Sequence, residues 1–423
     1  MHDKWQRATA IYLIVGILAA MAGCVPVATP TPPAPEPTLA PTITPSPSVE
    51  IKVATTAAPT ATPEPLILPS PAPLNPVSAA VGQIEAISFI DAKHGWLLGS
   101  ACADDLATCK SRPVVLRVTT DGSEHWVPQH VPMAYTTDSL AEEIQNQPRV
   151  NNVLFITKKD GWIYGESAFY TNDGGNTWFA SDQPIRSLSA KLGILWAVIG
   201  ESDDAWQIAT SDDGGKTWKT AANASGWKGV APQLVVSSAT QAWVLSSDAD
   251  GWYLWQTNDG GASWTTLPEP DGMPTVVRIL AVDPSGQLWL MSGAQPGGDL
   301  QEKTMHRSDD GGTTWEQVAL TTMDQSVPCR IPWLGELRQQ PGSLATNGEG
   351  QWFIALGRFT LVGSDAKACK WAESILAEDA NLGDATIECV TWFDATHGWA
   401  AANPNRLFIT NDGGANWQLV KVR

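Results

Sequence analysis

The sequence predicts an all-β protein, a seven-bladed β-propeller with four strands in each blade, over residues 81–423. Three observations lead to this prediction. An acidic, glycine-rich octapeptide ending in tryptophan recurs along the chain. Successive copies end 40 to 56 residues apart, and each copy follows an apolar run that contains a tryptophan of its own. A period in the forties to fifties suits one four-stranded propeller blade.

The octapeptide, for example "TNDGGNTW", occurs in five clear copies and two weaker ones. The clear copies end at Trp178, Trp218, Trp264, Trp315 and Trp417, and the weaker copies "TTDGSEHW" and "SDAKACKW" end at Trp126 and Trp371. A catalytic loop is normally present once, so a motif that recurs in every repeat indicates architecture.

The second tryptophan of each repeat lies in a run such as "GWLLGS" or "LWLMSG", whose aromatic and branched residues favour a strand. These tryptophans are Trp96, Trp162, Trp196, Trp243, Trp289, Trp352 and Trp399. We predict strand A in a run such as "IEAISF" and strand B in the tryptophan run. Strand C then leads into the octapeptide, and strand D begins at the octapeptide tryptophan.

The aspartate of the octapeptide can accept hydrogen bonds from the backbone N–H groups of its own turn. These aspartates are Asp121, Asp173, Asp213, Asp259, Asp310 and Asp412. The glycines permit the positive φ that such a turn needs, and the tryptophan can bury a large ring between sheets. Turn chemistry accounts for every residue type, so we predict a structural role for these aspartates and tryptophans.

The octapeptide resembles the Asp-box, or BNR repeat, Ser/Thr-x-Asp-x-Gly-x-Thr-Trp, which occurs in sialidases, in some glucan hydrolases and in non-enzymatic propellers. The runs "FIDAKHGW" at 89–96 and "FDATHGW" at 393–399 resemble the photosystem II stability/assembly factor type of propeller. That resemblance covers residues 81–423 and implies a strand B that opens with "GW". Two repeats depart from the box, with Ser123 and His125 replacing Gly and Thr, and Ala366 replacing Asp.

The first 24 residues have the pattern of a secretion signal, with Lys4 and Arg7 before the apolar run "AIYLIVGILAA". Small residues directly before Cys24 resemble a bacterial lipobox, which predicts lipidation of Cys24 and a membrane-anchored extracytoplasmic protein. The alternative is a simple signal peptide with an incidental cysteine. Residues 25–80 are rich in Pro and Thr and predict a disordered linker between anchor and propeller.

The formal net charge of −18 at pH 7 disfavours nucleic acid and anionic membrane surfaces as partners. The chain contains no phosphate-binding loop, no Ser/His/Asp motif and no metal-ligand spacing, so we predict no cofactor and no metal, and we expect a monomer. For an exported chain, Cys102 and Cys109 in "CADDLATC" predict a local disulfide. Cys329, Cys369 and Cys389 leave one cysteine unassigned.

Length variation between repeats predicts where a partner binds. Extra residues at about 129–152 and 321–344 should fall on the face opposite the boxes, and the first insertion carries a short helical signal, "DSLAEEIQNQ". That face also collects the acidic residues that follow strand B, namely Glu166, Glu201, Asp203, Asp204, Asp248, Asp250 and Asp299. These residues are a candidate binding face, either as ordinary solvated loops around a protein site or as a cation site or carboxylate pair.

Two functions are compatible with these patterns. The first is a non-enzymatic, lipid-anchored propeller that binds a protein or assists assembly of a membrane complex. The partner expected in that case is a basic or membrane-embedded protein. The alternative is a glycan-binding or glycoside-hydrolase-like propeller, for which aromatics outside the repeat register would line a groove. Those aromatics are Tyr135, Trp206, Trp227, Trp252 and Trp333. A sialidase is disfavoured, because its "RIP" motif precedes the first box and the one here, at 330–332, follows the fifth.

Overall fold

A computed structural model describes residues 80–101, 114–132 and 150–422 of the chain, with shorter gaps inside the last range. Those gaps are 192, 203–204, 222–226, 228, 249–250, 269–276, 295–301, 323–325, 332–342, 356, 359–360, 366, 375–385, 404 and 421. The predicted signal segment, linker and "DSLAEEIQNQ" run lie outside the described residues. Within the described residues there is no helix that could span a membrane.

The described strands form seven mainly antiparallel sheets, and the four principal strands of each sheet come from one repeat. Blades 1 to 3 contain β1 (Gln83–Phe89), β2 (Gly95–Ser100), β3 (Val114–Thr119), β4 (Val127–Gln129), β5 (Val150–Phe155), β6 (Gly161–Gly165), β7 (Ala168–Thr171), β8 (Phe179–Ala180), β9 (Ile185–Lys191), β10 (Ile194–Ser202), β11 (Ala205–Ser211) and β12 (Lys219–Thr220). Blades 4 and 5 contain β13 (Val230–Val236), β14 (Ala242–Ser247), β15 (Trp252–Thr257), β16 (Thr265–Leu267), β17 (Val277–Val282), β18 (Leu288–Gly293), β19 (Lys303–Ser308), β20 (Glu316–Thr321) and β21 (Arg330–Ile331). Blades 6 and 7 contain β22 (Ser343–Thr346), β23 (Trp352–Ala355), β24 (Gly357–Arg358), β25 (Leu361–Ser364), β26 (Trp371–Ser374), β27 (Thr386–Trp392), β28 (Gly398–Asn403), β29 (Arg406–Thr410) and β30 (Gln418–Val420).

The order of strands in each sheet is A-B-C-D, with each strand paired to the next along the chain. Neighbouring blades contact one another through their A strands, except that blades 2 and 3 meet through β6 and β9 and blade 7 meets blade 1 through β28 and β1. The sheets therefore close into a ring, and the predicted seven-bladed propeller with four strands per blade is confirmed. Two additions were not predicted: β21 joins the sheet of blade 5, and β24 pairs with β27 in blade 7.

Strand B is apolar because both of its faces pack against neighbouring blades. Every residue of β2, β14 and β18 is buried, which explains the continuous runs "GWLLGS", "AWVLSS" and "LWLMSG". The tryptophan of strand B reaches into the next blade, where it meets the end of strand A and the box tryptophan. Trp96 of blade 1, for example, stacks on Phe155 of blade 2 with ring centroids 3.7 Å apart, and Phe155 meets Trp178 edge-on.

Side chains, not a shared strand, close the ring between blades 7 and 1. Blade 1 contains β1 to β4, and no described strand passes from it into the sheet of blade 7. Trp399 stacks on Phe89 with ring centroids 3.6 Å apart. Asn403 accepts a hydrogen bond from the Ile84 N–H at 2.8 Å and donates one to the Ile84 carbonyl at 3.2 Å. Hydrophobic packing and one amide bridge thus join the terminal blades.

Candidate functional site

The boxes lie on the same face as the turns between strands A and B. The N–H of the first box glycine donates to a carbonyl of the A–B turn in the same blade, as Gly174 does to Lys159 at 2.9 Å and Gly413 to Thr396 at 3.1 Å. We call this side the box face. The opposite side, which carries the B–C and D–A connections, is the loop face. Glu166 and Asp248 follow strands B and lie on the loop face.

The carboxylate of a box aspartate is engaged by its own turn. In blade 3, Asp213 Oδ1 accepts from the Ser211 hydroxyl at 2.7 Å and from the Thr217 N–H at 3.0 Å, and Oδ2 accepts from the Thr217 hydroxyl at 2.6 Å. The Ser211 hydroxyl oxygen in turn accepts from the Gly215 N–H at 2.8 Å. The same pattern recurs around Asp173, Asp259, Asp310 and Asp412.

These hydrogen bonds favour the ionised carboxylate. At Asp213, partial burial acts to raise the pKa, but the hydrogen bonds from Thr217 and Ser211 outweigh it and lower the pKa to about 2. At Asp259, the bonds from the Ser263 hydroxyl and N–H lower the pKa to about 2. A carboxylate held in this way is a weak base, so the boxes are poorly suited to proton transfer near neutral pH.

The second box glycine gives the tryptophan of the preceding blade room to approach. Gly215 has a φ of +88°, and a Cβ on it would collide with the indole of Trp162. The Trp162 Nε1 donates to the Gly214 carbonyl at 3.2 Å, and Trp243 donates to Gly311 in the same way at 2.9 Å. The box and the tryptophan of strand B therefore form one contact between neighbouring blades.

The two departures from the box are both accommodated. In blade 1, Ser123 adopts a φ of +77°, and its hydroxyl accepts a hydrogen bond from the Trp399 Nε1 at 3.3 Å. His125 takes the place of the usual threonine, and its Nδ1 lies 2.7 Å from Asp121 Oδ2. Asp121, Glu124 and His125 are grouped closely enough to hold a metal ion, but all three lie at the surface and no second feature of the site points to an ion.

In blade 6, an aspartate that the repeat register did not predict replaces the missing one. Asp365, one residue before Ala366, accepts hydrogen bonds through Oδ1 from the N–H groups of Cys369 at 2.9 Å and Lys370 at 3.1 Å. Ala368 takes the positive φ that glycine has elsewhere, at 53°. The signal was present in "SDAKACKW" as an aspartate shifted by one position.

The same turn carries a disulfide, Cys329–Cys369, with the two Cα atoms 4.2 Å apart. It holds the segment before β21 against the box of blade 6, where the Arg330 N–H also donates to the Cys369 carbonyl at 3.1 Å. Residues 326–331 of the second insertion therefore lie along the outer edges of blades 5 and 6. The expectation that the whole insertion lies on the loop face is wrong for this stretch, because the disulfide and β-pairing hold it at the rim.

The remaining cysteine predictions have different outcomes. Cys389 is also disulfide-bonded, so its partner is a cysteine other than Cys329 and Cys369. None of the cysteines that the structure describes is free. Cys24, Cys102 and Cys109 lie outside the described residues. Because the chain has six cysteines, one of these three is the partner of Cys389, so lipidation of Cys24 and a Cys102–Cys109 disulfide are predictions that cannot both hold.

The predicted acidic face is described only in part. Glu166 is exposed beyond β6. Asp248 is half-buried, and its carboxylate accepts from the Tyr253 hydroxyl at 3.0 and 3.1 Å. Glu201 belongs to β10 and not to a loop, because that strand extends to Ser202. The other four candidates, Asp203, Asp204, Asp250 and Asp299, lie outside the described residues.

The aromatics outside the repeat register do not form an open groove in the described part of the chain. Trp206 and Trp227 are buried between blades 3 and 4, where their ring centroids lie 5.0 Å apart and Trp206 Nε1 donates to the Gly229 carbonyl at 2.9 Å. Trp252 is half-buried near the loop face, and the Arg278 guanidinium lies 5.3 Å from its ring centroid. Tyr135 and Trp333 lie outside the described residues.

The structure also contains buried basic residues that sequence reasoning missed. Arg278 and Lys303 are buried in blade 5, together with His306. Burial lowers the pKa of Lys303 to about 8, and burial together with the charge of Arg278 lowers the pKa of His306 to about 4. No sequence motif surrounds these residues, and their burial follows only from the packing of blades.

Removing one box carboxylate tests its structural role. We expect Asp213→Ala to lower the free energy of unfolding by about 1–3 kcal/mol, because the donors of Ser211 and Thr217 lose their acceptor. The measurement is urea denaturation at pH 7. The pKa of Asp213 is lower folded than unfolded, so its stabilisation is complete above about pH 4 and is lost as the pH falls towards 2. The difference in the free energy of unfolding between wild type and Asp213→Ala should therefore become smaller as the pH falls through this range.

Asp212→Ala is the matched control, since Asp212 is the neighbouring exposed aspartate and only forms an ion pair with Lys219. A surface pair of this kind contributes about 0–1 kcal/mol. An unchanged urea midpoint in Asp213→Ala, or a loss equal to that in Asp212→Ala, would contradict a structural role for the box.

Comparisons with known proteins support the fold. The sequence model of the BNR/Asp-box repeat matches residues 209–220, which is the box of blade 3. No curated protein sequence matches the chain. Among solved structures, YCF48 bound to D1 peptide is 19% identical, with a TM-score of 0.46, over 64% of this chain and 82% of that chain. YCF48 from Cyanidioschyzon merolae is 17% identical, with a TM-score of 0.45, over 64% of this chain and 85% of that chain.

An ancestral GH74 enzyme is similar over 82% of this chain and 47% of its own length, with 18% identity and a TM-score of 0.51. At this level of identity the similarity concerns the fold alone. The sheet topology shows that the chain is a seven-bladed β-propeller, and the sequence match identifies the box of blade 3 as a BNR/Asp-box repeat.

Proposed function

We propose that this protein is a non-enzymatic propeller, anchored to a membrane through a lipid on Cys24 and exposed outside the cytoplasm, that binds a protein partner through its loop face. The observation that carries the proposal is that the side chains most suggestive of a catalytic or ligand-binding site already have partners within the propeller. Each fully described box carboxylate is saturated by its own turn, and Trp206 and Trp227 are enclosed between blades. These groups stabilise the scaffold and leave recognition to the loops.

The charge of the chain favours a basic partner. The formal net charge is −18, and an exposed acidic residue, Glu166, lies on the loop face. Complementary charge steers encounter and selects partners more than it adds affinity. A rigid ring with variable connections on one side suits this task, because binding residues are commonly placed on loops that a scaffold positions.

Cross-linking in native membranes tests the proposal. A photo-cross-linking amino acid at Glu166 on the loop face should capture a discrete protein partner. The same amino acid at Lys216, which is also exposed but lies in a box, should not. Deletion of 133–147 in the first insertion should abolish the capture and leave the melting temperature nearly unchanged. Cross-links that form only from Lys216, or a deletion that unfolds the propeller, would overturn the assignment of the face.

The same membranes test the anchor. Cys24→Ala should release the protein from the membrane fraction, because stable attachment needs more than one acyl chain and the alanine variant carries none. Retention of the variant in the membrane fraction, with a mature N-terminus other than residue 24, would contradict lipidation.

The alternative is a glycan-binding or glycoside-hydrolase-like propeller. It is supported by Trp252, a half-buried aromatic near the loop face in the same blade as the Asp248 carboxylate. A glycan array, followed by Trp252→Ala, decides this alternative: specific binding that the substitution abolishes would favour a glycan ligand over a protein partner.

A further inference from the structure

The contact between blades 4 and 5 contains a buried histidine. His306 lies in β19, the third strand of blade 5, and is 8% exposed. It pairs with Leu290 of β18, which in turn pairs with Leu280 of β17. Residues paired across neighbouring strands point to the same face of a sheet, and these two leucines pack against Leu254 of blade 4. His306 therefore faces blade 4.

Arg278 lies at the same contact. It is 2% exposed and comes two residues before Leu280 in β17, so its side chain is on the face that packs against blade 4. Its guanidinium lies 5.3 Å from the ring centroid of Trp252, which belongs to blade 4. Burial and the charge of Arg278 both oppose a positive charge on His306, and together they lower its pKa to about 4.

The other titratable residues in the described strands of blade 4 and in the strands next to β19 point away from this contact, and they are Tyr253, Lys303, Arg307 and Glu316. Tyr253 packs towards blade 3. Lys303 and Arg307 alternate with His306 along β19, on the side of Met305, which packs towards blade 6. Arg307 also binds Glu316 at 2.9 Å.

Two acidic residues flank these strands without reaching His306. The Asp248 carboxylate accepts from the Tyr253 hydroxyl, and Glu302 is exposed before the start of β19. The described strands around His306 therefore place one charged group, Arg278, on its face of the sheet, and that group is positive.

The Nδ1 atom of His306 is buried and has no hydrogen-bond partner. A protonated imidazole carries an N–H on both ring nitrogens, so a proton on His306 would leave a buried donor without an acceptor. It would also place a second positive charge at the contact that holds Arg278. An unpaired donor and an uncompensated charge both disfavour the buried state. The packed contact therefore accepts His306 only as the neutral imidazole.

We propose that the contact between blades 4 and 5 is an acid-sensitive seam, which weakens when His306 takes up a proton. The seam is a property of the propeller and does not depend on the partner proposed above. Arg278 and Trp252 lie near the starts of strands A and C, so the seam extends to the loop face.

The sign of the pH dependence follows from the two states of His306. Its pKa is lower in the folded protein than the ordinary value of about 6.5 expected in the unfolded chain. Its contribution to stability is therefore complete above about pH 6.5 and is lost as the pH falls towards 4. The box aspartates titrate below this range, so a comparison between pH 7 and pH 5 separates the seam from the boxes.

Urea denaturation of the full chain at pH 7 and pH 5 tests the seam. His306→Gln has a side chain of similar size that does not titrate. On going from pH 7 to pH 5, the unfolding equilibrium constant of wild type should rise about tenfold more than that of the variant. Because each protein is compared with itself, a lower stability of the variant at pH 7 does not affect the result. An equal rise in both proteins would overturn the inference.

His125→Gln is the matched control, because the His125 side chain is 80% exposed at the surface of the box face. Its pH dependence should equal that of wild type, and a reduction as large as in His306→Gln would contradict the assignment. Amide exchange at pH 5 locates the effect: β15 and β19 should exchange faster in wild type than in His306→Gln, and β1 equally in both. Equal exchange in β15 and β19 would show that no seam opens there.

Deuterium exchange at Cε1 of His306 in the wild-type protein needs no variant. Followed by mass spectrometry between pH 3 and pH 8, its rate should change with a midpoint below pH 5, because the packed contact resists the proton. A midpoint at or above about pH 6.5, the ordinary value for histidine, would overturn the inference.

Discussion

Replacing Trp399 with alanine is expected to destabilise the protein by about 3–5 kcal/mol, the usual cost of deleting a buried tryptophan. Trp399 is 3% exposed and stacks on Phe89 across the contact between blades 7 and 1. Its Nε1 also donates to the Ser123 hydroxyl. Since no described strand is shared by the two terminal blades, the ring closes through side-chain contacts, and Trp399 makes the aromatic one.

The expected loss has a specific location. Trp162→Ala removes the same side chain from the contact between blades 2 and 3, where the chain itself keeps the blades together. Urea denaturation gives the free energies, and hydrogen exchange locates the opening. In Trp399→Ala the amides of β1 and β28 should exchange faster than in Trp162→Ala. A loss below about 1 kcal/mol, or the same exchange pattern in both variants, would show that the ring closes by other contacts.

The second large effect is expected from the Cys329–Cys369 disulfide. Its removal in the double variant Cys329→Ser, Cys369→Ser should cost about 2–4 kcal/mol, because the unfolded chain regains the freedom of a loop whose ends are 40 residues apart. The structure adds a local reason, since the disulfide anchors β21 to the only described box without glycine at the positive-φ positions. Thermal unfolding, with and without reductant, measures the loss.

Reductant provides the internal control. It should lower the melting temperature of wild type by more than that of the double variant, and the effect that remains in the variant reports the disulfide of Cys389. A double variant with the wild-type melting temperature would contradict a stabilising role for the Cys329–Cys369 pair.

The architecture could be predicted because every repeat contains the same sequence pattern. The strand B tryptophans and the boxes occur at registered positions, and the structure places both at the contacts between neighbouring blades. The position of a box with a weak sequence match could therefore be predicted from its spacing relative to the clear copies. The exception is blade 6, where Ala366 stands at the usual aspartate position and Asp365 supplies the carboxylate of the turn from one position earlier. A register-based reading misses such a shift, because the hydrogen bonds depend on where the carboxylate lies in space.

The candidate site was harder to predict. Trp206 and Trp227 depart from the repeat register, which suggested a ligand groove, yet the structure buries both between blades 3 and 4. Burial of a side chain depends on the blade that packs over it, and a pattern within one repeat does not contain that neighbour. The acidic residues after strand B were easy to find in the sequence, but their spatial relation depends on loops and not on repeats.

The propeller, the number of its blades and the residues of the box turns could all be read from the amino-acid sequence, because they depend on short-range hydrogen bonds and on a period that every repeat shares. The three-dimensional packing was needed to learn how the ring closes and which tryptophans are enclosed. Those features join residues from different blades, and their geometry arises when the sheets pack around a common axis.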